Sequence, residues 1–174
     1  MVYSVSLYIC FIYCFTVSLC SDGVIGPFFF DSTVDSHCYQ NMFRNSVVPQ
    51  LATRPDYAEL YFQQDGAPPH FASAVRNYLD QTFPQHWIGR RGCIDWPPRS
   101  PDLTPMDFFV WGVVKEKVYG RKPSTVKDLK DFIIEAFMDI DGNRQLCESV
   151  CRSVAGRFQE CCNVDGGHFE HLRD

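Results

Sequence analysis

Residues 58 to 70, Ala-Glu-Leu-Tyr-Phe-Gln-Gln-Asp-Gly-Ala-Pro-Pro-His, constrain this chain more than any other stretch. Leu60 to Phe62 have the apolar, aromatic character of a strand. Gly66, Pro68 and Pro69 stop that strand within a few residues, because proline has no amide to donate and glycine frees the backbone to turn. From His70 to Phe83 the residues Phe71, Ala74, Val75, Tyr78 and Leu79 recur at helical spacing, which predicts a helix with those side chains inward and Arg76, Asn77 and Asp80 outward. A strand broken off and followed at once by a helix is half of a β-α unit. It leaves the carboxylate of Asp65 at the strand's C-terminal edge.

The same reading along the chain predicts a hairpin of Phe15–Leu19 and Val24–Phe30 about Ser21-Asp22-Gly23, then a helix over 33–51 carried by Tyr39, Met42, Phe43, Ser46 and Val47. A short strand is expected at Trp87–Ile88. Helices are predicted at 107–119, 125–140 with Ser124 as cap, and 144–162, the last two separated by Asp141-Gly142-Asn143. Alternating strands and helices indicate an α/β sheet.

A second carboxylate stands in a different setting. The turn-rich segment Trp96-Pro97-Pro98-Arg99-Ser100-Pro101-Asp102-Leu103-Thr104-Pro105 leads into Met106-Asp107 and the apolar run Phe108-Phe109-Val110-Trp111, so Asp107 falls in the first turn of a helix. Carboxylates offered from a strand end and a helix start suit Mg²⁺, which takes one or two protein carboxylates and completes its shell with water and phosphate oxygens. Read singly, Asp65 is equally suited to a turn before glycine and Asp107 to a helix N-terminus.

Taken together, Gln64-Asp65-Gly66-Ala67-Pro68-Pro69-His70 and Ser100-Pro101-Asp102-Leu103-Thr104-Pro105-Met106-Asp107 resemble the second and third acidic motifs of mariner-type transposases, a family of DDE endonucleases. The resemblance runs over most of residues 17 to 138 and, more loosely, to Gly167-His168-Phe169-Glu170. It implies a ribonuclease-H-like α/β domain, a mixed sheet flanked by helices, N-terminally truncated and carrying a helical C-terminal extension. The implied division is a non-homologous apolar leader (1–14), a partial endonuclease domain (15–140) and a C-terminal helix and tail (141–174). Asp65 and Asp107 are then metal ligands for Mg²⁺ or Mn²⁺, and the ancestral activity is cleavage and joining of DNA strands at transposon ends. His70, Arg90, Arg91 and Arg99 are candidates for contact with DNA or for supporting the ligands. A nuclear location and a homodimer belong to the same expectation.

In the family the first catalytic aspartate lies on the opening strand of the sheet, and residues 1 to 14 contain no acidic residue. No helix-turn-helix region for reading terminal repeats is present either. The expectation is therefore a C-terminal fragment with impaired catalysis, since a two-metal site needs its carboxylates placed closely. Losing the opening strand would expose the sheet's ladder unless residues 1 to 14, whose alternation is strand-compatible, pair in its place.

Charge and cysteine content bound the alternatives. The net charge is -5, the wrong sign for binding DNA by bulk electrostatics, so any contact must be local: Arg90, Arg91 and Arg99, or Lys115, Lys117, Arg121, Lys122, Lys127 and Lys130. For the lysines a solvated helix surface is the competing reading. Nine cysteines are too sparse for a disulfide scaffold, and Cys147, Cys151, Cys161, Cys162 and His168 lack paired zinc-ligand spacing. Leu146, Val150, Val154 and Phe158 instead give the last helix a core face. Two other classes of function stay open: a non-catalytic interaction module built on the C-terminal helices, and a secreted or membrane product directed by the uncharged residues 1 to 20. Membrane insertion is disfavoured by the serine, threonine and tyrosine in that stretch.

Overall fold

A computed structural model describes residues 2–9, 14–96 and 100–172. Six strands, β1 (Val2–Ile9), β2 (Cys14–Cys20), β3 (Gly23–Phe30), β4 (Tyr61–Gln64), β5 (Trp87–Gly89) and β6 (Ile94–Asp95), form one sheet in the order β3-β2-β1-β4-β5-β6. β2 and β3 are the expected hairpin. The opening slot of the sheet is filled: β1 lies between β2 and β4 and runs parallel to β4 from Val2 opposite Tyr61 to Val5 opposite Gln64. β4 and β5 are also parallel, with Phe62 opposite Trp87.

The chain divides into two compact units, residues 1–18 with 25–98, and residues 19–24 with 99–174. In the first, the predicted helix over 33–51 begins three residues later, at α1 (Ser36–Met42). Asp35 caps it by accepting from the Cys38 amide at 2.8 Å. A wide turn, Phe43–Val47, links it to α2 (Val48–Ala52). Pro49 lacks the amide that regular helix would need there, and widening the preceding turn accommodates that loss. Tyr39, Phe43, Val47 and Leu51 recur every four residues and are buried. Phe43 packs on Phe62 of β4, 4.6 Å between ring centres, and Phe62 stacks on Phe83 at 5.4 Å. Each such fully buried side chain contributes roughly 1.5–3 kcal/mol.

After β4 the predicted helix from His70 is two helices, α3 (Pro68–Phe71) and α4 (Ser73–Thr82), because Ala72 adopts an extended ψ of 142° between them. Its faces also differ from the expectation. Val75 and Leu79 are buried but Ala74 is exposed; Asp80 is exposed as expected, and also accepts from the Trp87 indole Nε1 at 2.8 Å.

The second unit is helical. Met106–Val110 form a wide first turn that continues into α5 (Trp111–Gly120), followed by α6 (Val126–Asp141) and α7 (Arg144–Asn163). The cap of α6 is Thr125 rather than Ser124. Its hydroxyl accepts from the Asp128 amide at 3.0 Å while the Asp128 carboxylate accepts from the Thr125 amide, a reciprocal box in which Ser124 plays a supporting part. Trp111 meets Phe137 edge-on across α5 and α6. Gly23, which opens β3, is required by its φ of 151°, and a Cβ there would also displace Asp141 Oδ1, which accepts from the Val24 amide at 2.7 Å.

The core face expected on α7 is only partly observed. Val150 is buried with Cys147, whose thiol donates to the Ile140 carbonyl, but Phe158 is 40% exposed and its neighbour Arg157 turns inward. The physical reason is what waits for the guanidinium: it lies 3.8 Å over the Phe108 ring, donates to the Asp102 carbonyl at 2.8 Å and pairs with Glu170. Nearby, His168 bonds Asp102 through Nδ1 at 2.6 Å and Phe169 is buried. The tail from 164 to 172 is thus docked on the segment that precedes Asp107. Among the described residues no helix is long and apolar enough to cross a membrane.

Candidate functional site

Asp65 directly follows β4, where the sequence placed it, and its carboxylate is held in one orientation. Oδ1 accepts from the Ala67 amide at 3.0 Å and from His70 Nδ1 at 2.5 Å. The proline pair fixes this arrangement: Pro68 and Pro69 start α3 in the positions where a helix does not use the amide, and that short helix returns His70 toward the strand end. The His70 ring is fully buried, so Nδ1 has no water to turn to and must donate to the carboxylate.

The His70 ring is itself fixed from two sides. Tyr39 of α1 packs against it at 4.2 Å between centres, and the Tyr39 hydroxyl donates to Gln64 Oε1 at 3.1 Å. Gln64 Nε2 in turn donates to the His70 carbonyl at 3.0 Å. A relay Tyr39–Gln64–His70–Asp65 therefore ties α1, β4 and α3 to one carboxylate. Burial, and then the charge of Asp65, push the Tyr39 phenol well above its ordinary range, so it stays a hydrogen-bond donor.

Asp107 stands in the first turn before α5, exposed, with its amide donating to the Thr104 carbonyl at 2.9 Å. Arg90 and Arg91 occupy the turn between β5 and β6 and are exposed. Arg99 lies outside the described residues. In the second basic group, Lys117 pairs with Asp139 at 2.8 Å, Lys127 with Asp131 at 2.6 Å, and Arg121 with Glu135.

No family model matches the chain. The Tc3 transposase of Caenorhabditis elegans is 31% identical over 142 residues, covering 79% of this chain and 39% of that protein. The Tcb2 transposase of Caenorhabditis briggsae is 25% identical over 138 residues, covering 78% of this chain and 46% of the other. Its homologues are Tc1/mariner-type transposases. The chain spans less than half the length of these curated relatives. Among solved structures, the catalytic domain of Mos1 mariner transposase superposes with a TM-score of 0.81 at 22% identity, covering 97% of this chain and 84% of that one. A Mos1 paired end complex with Mg gives 0.77 at 20% identity over the same share of this chain and 56% of its own; another such complex was solved with Mn. The fold is that of the mariner catalytic domain, ribonuclease-H-like, as the two acidic motifs implied.

Set in that transposase fold, Asp65 and Asp107 are hard oxygen donors of the kind Mg²⁺ and Mn²⁺ prefer. The strand beside β4, β1, reads Val-Tyr-Ser-Val-Ser-Leu-Tyr-Ile and carries no carboxylate. Among the described residues no three His, Cys, Asp or Glu side chains gather as a metal site. Sequence reasoning gave Tyr39 no role beyond the helix pattern and Gln64 none beyond its place in the motif. The only signal was a glutamine pair inside a short buried strand, where Gln63 and Gln64 are 4% and 2% exposed and need partners.

Proposed function

We propose that this chain is a transposase-derived DNA-binding domain in which Asp65 and Asp107 are the divalent-cation ligands that the two acidic motifs imply, and that its strand-cleavage activity is impaired. The observation that carries the reading is the orientation of Asp65 by a fully buried histidine at 2.5 Å. A surface turn aspartate does not need such a support, whereas a metal-ligating carboxylate does. The cation would supply Lewis-acid stabilisation of charge on a phosphate and a more acidic bound water. The chain's own residues do the rest: His70 and the Ala67 amide fix one carboxylate oxygen, Gln64 and Tyr39 hold His70, and burial keeps the relay dry. Impairment follows from the strand beside β4 bearing no carboxylate, which leaves the donor set short of what a two-ion site needs. Acting on DNA, the protein works in the nucleus, which a fluorescent fusion tests.

The decisive measurement is Mn²⁺ titration by calorimetry together with the melting temperature, with Asp65→Asn as control, and nicking of supercoiled plasmid in parallel. Saturable binding and a raised melting temperature in the parent, both lost in the variant, with little or no nicking, are expected. Equal behaviour of parent and variant sinks the assignment of Asp65, and rapid nicking sinks the impairment.

A further inference from the structure

We infer that Arg76, Arg90 and Arg91, gathered around Phe71, form a binding site for the phosphates of a DNA strand beside Asp65. The inference rests on the DNA reading above and adds to it a place, a third arginine, Arg76, and a metal-independent mode of contact.

Three guanidinium groups surround one aromatic ring: that of Arg90 lies 4.2 Å from the centre of Phe71, that of Arg76 5.0 Å and that of Arg91 5.6 Å. They come from separate elements, α4 and the β5–β6 turn, so the clustering is a product of the fold. Arg76 is anchored through Nε to the Phe71 carbonyl at 3.2 Å. Among the described residues no carboxylate pairs with any of the three guanidiniums, although the chain as a whole is acidic. Three cations held together without an acidic partner repel one another, and a bound anion relieves that repulsion. The attraction of each for the ring face offsets part of the cost and keeps the group in place when no ligand is bound.

The turn that presents Arg90 and Arg91 is built rather than loose. It reads Gly89-Arg90-Arg91-Gly92. A Cβ on either glycine would lie 2.9 Å from the ring of Trp87, which is fully buried and cannot retreat. Arg91 takes a left-handed φ of 56°, held by its amide donating to Asp95 Oδ1 at 2.8 Å, and the Gly92 amide closes the turn on the Gly89 carbonyl at 2.9 Å. Cys93 brackets it by donating to the Trp87 carbonyl at 2.8 Å. A strained, glycine-flanked turn that places two arginines on the same ring as a third is a preorganised site.

Its position selects the ligand. A Cβ on Gly66 would meet Arg90 Cδ at 3.5 Å, so the cluster borders the loop that begins at Asp65. A strand whose reacting phosphate sits at Asp65 carries further phosphates past this point, and the guanidinium fork matches phosphate oxygens. With a net charge of -5, the protein depends on such a local concentration of positive charge for any DNA contact.

The test uses the full chain in EDTA, so that a failed metal site leaves the result unaffected. Anisotropy of a labelled DNA duplex is followed across a salt series for the parent, an Arg76→Gln/Arg90→Gln/Arg91→Gln variant and the matching triple Lys variant. The expected result is a loss of roughly 10- to 100-fold in affinity and a salt slope smaller by about 2 to 3 in the Gln variant, with the slope kept by the Lys variant. A folded Gln variant that binds with the parent's slope overturns the inference while leaving the DNA reading intact. A second arm needs no substitution: phenylglyoxal modification of the parent, mapped by mass spectrometry, with DNA or inorganic phosphate present. Protection of Arg76, Arg90 and Arg91 by DNA, with Arg44 and Arg152 unprotected, supports the site. Protection by phosphate and not by DNA overturns the DNA source, and protection by neither overturns the site.

Discussion

Tyr39→Phe removes one oxygen from the far end of the relay behind Asp65 and nothing else. The ring keeps its packing on Phe43 and on His70, with centres 6.0 and 4.2 Å away. What is lost is the 3.1 Å bond to Gln64 Oε1, and because Gln64 is 2% exposed, water cannot replace the missing donor. The bond itself contributes about 1 kcal/mol and a stranded buried acceptor costs about as much again, so the variant is expected to lose about 2 kcal/mol. In a chain of this size that lowers the melting temperature by roughly 4–8 °C. Gln64→Leu strands both the Tyr39 hydroxyl and the His70 carbonyl and should cost more. The double variant should fall short of the sum by about 1 kcal/mol, because the second substitution removes a group already without its partner. Urea unfolding followed by tryptophan fluorescence measures all three. The phenol also has a pH signature: its folded-state pKa is raised, so its contribution to stability is complete below the ordinary tyrosine value and declines as pH rises beyond it, where the unfolded chain ionises and the folded one does not. A Tyr39→Phe variant within about 0.5 kcal/mol of the parent, or strict additivity in the cycle, would refute the relay as an energetic unit.

Gly92→Ala should cost about 2 kcal/mol, because the new methyl meets the immobile Trp87 ring, whereas Gly156→Ala, with nothing within 4 Å on a helix, should gain about 0.5–1 kcal/mol; urea midpoints of the two give opposite signs if the turn is as described. Arg157→Ala should destabilise by about 3 kcal/mol through loss of the Phe108 contact, the Asp102 bond and the Glu170 pair, and limited proteolysis should then cut within residues 164–172. Cys151, its thiol pushed up to about 11 by burial, then by Cys147 and Asp22, is about one-thousandth thiolate at pH 8, so iodoacetamide should label it slowly there, faster as pH approaches 11, and at the ordinary thiol rate once urea unfolds the chain. Fast labelling of the native protein at pH 8 would contradict that burial.

Asp65 and Asp107 were legible because local chemistry is enough to place them: prolines and glycine end a strand or start a helix wherever the chain goes, and the residue beside them inherits a fixed setting. The same holds for the order of the elements, the hairpin at residues 21–23 and the break at 141–143. Features that join distant segments were not legible. Gln64 looked like any strand residue until Tyr39, 25 positions earlier, was found donating to it. Arg76 sat on what helical spacing called a solvent face, and its meeting with Arg90 on Phe71 depends on how α4 lies beside the β5–β6 turn. Phe158 lost the core position that periodicity gave it to its neighbour Arg157, because a cation with a carbonyl, a carboxylate and an aromatic ring to meet outweighs one phenylalanine left partly in water. Periodicity reports which side of an element is apolar, a property of neighbours a few residues apart. Which polar groups are buried, and with what partner, is set by contacts between elements remote in sequence, and that is where the support of Asp65 and the arginine cluster both arise.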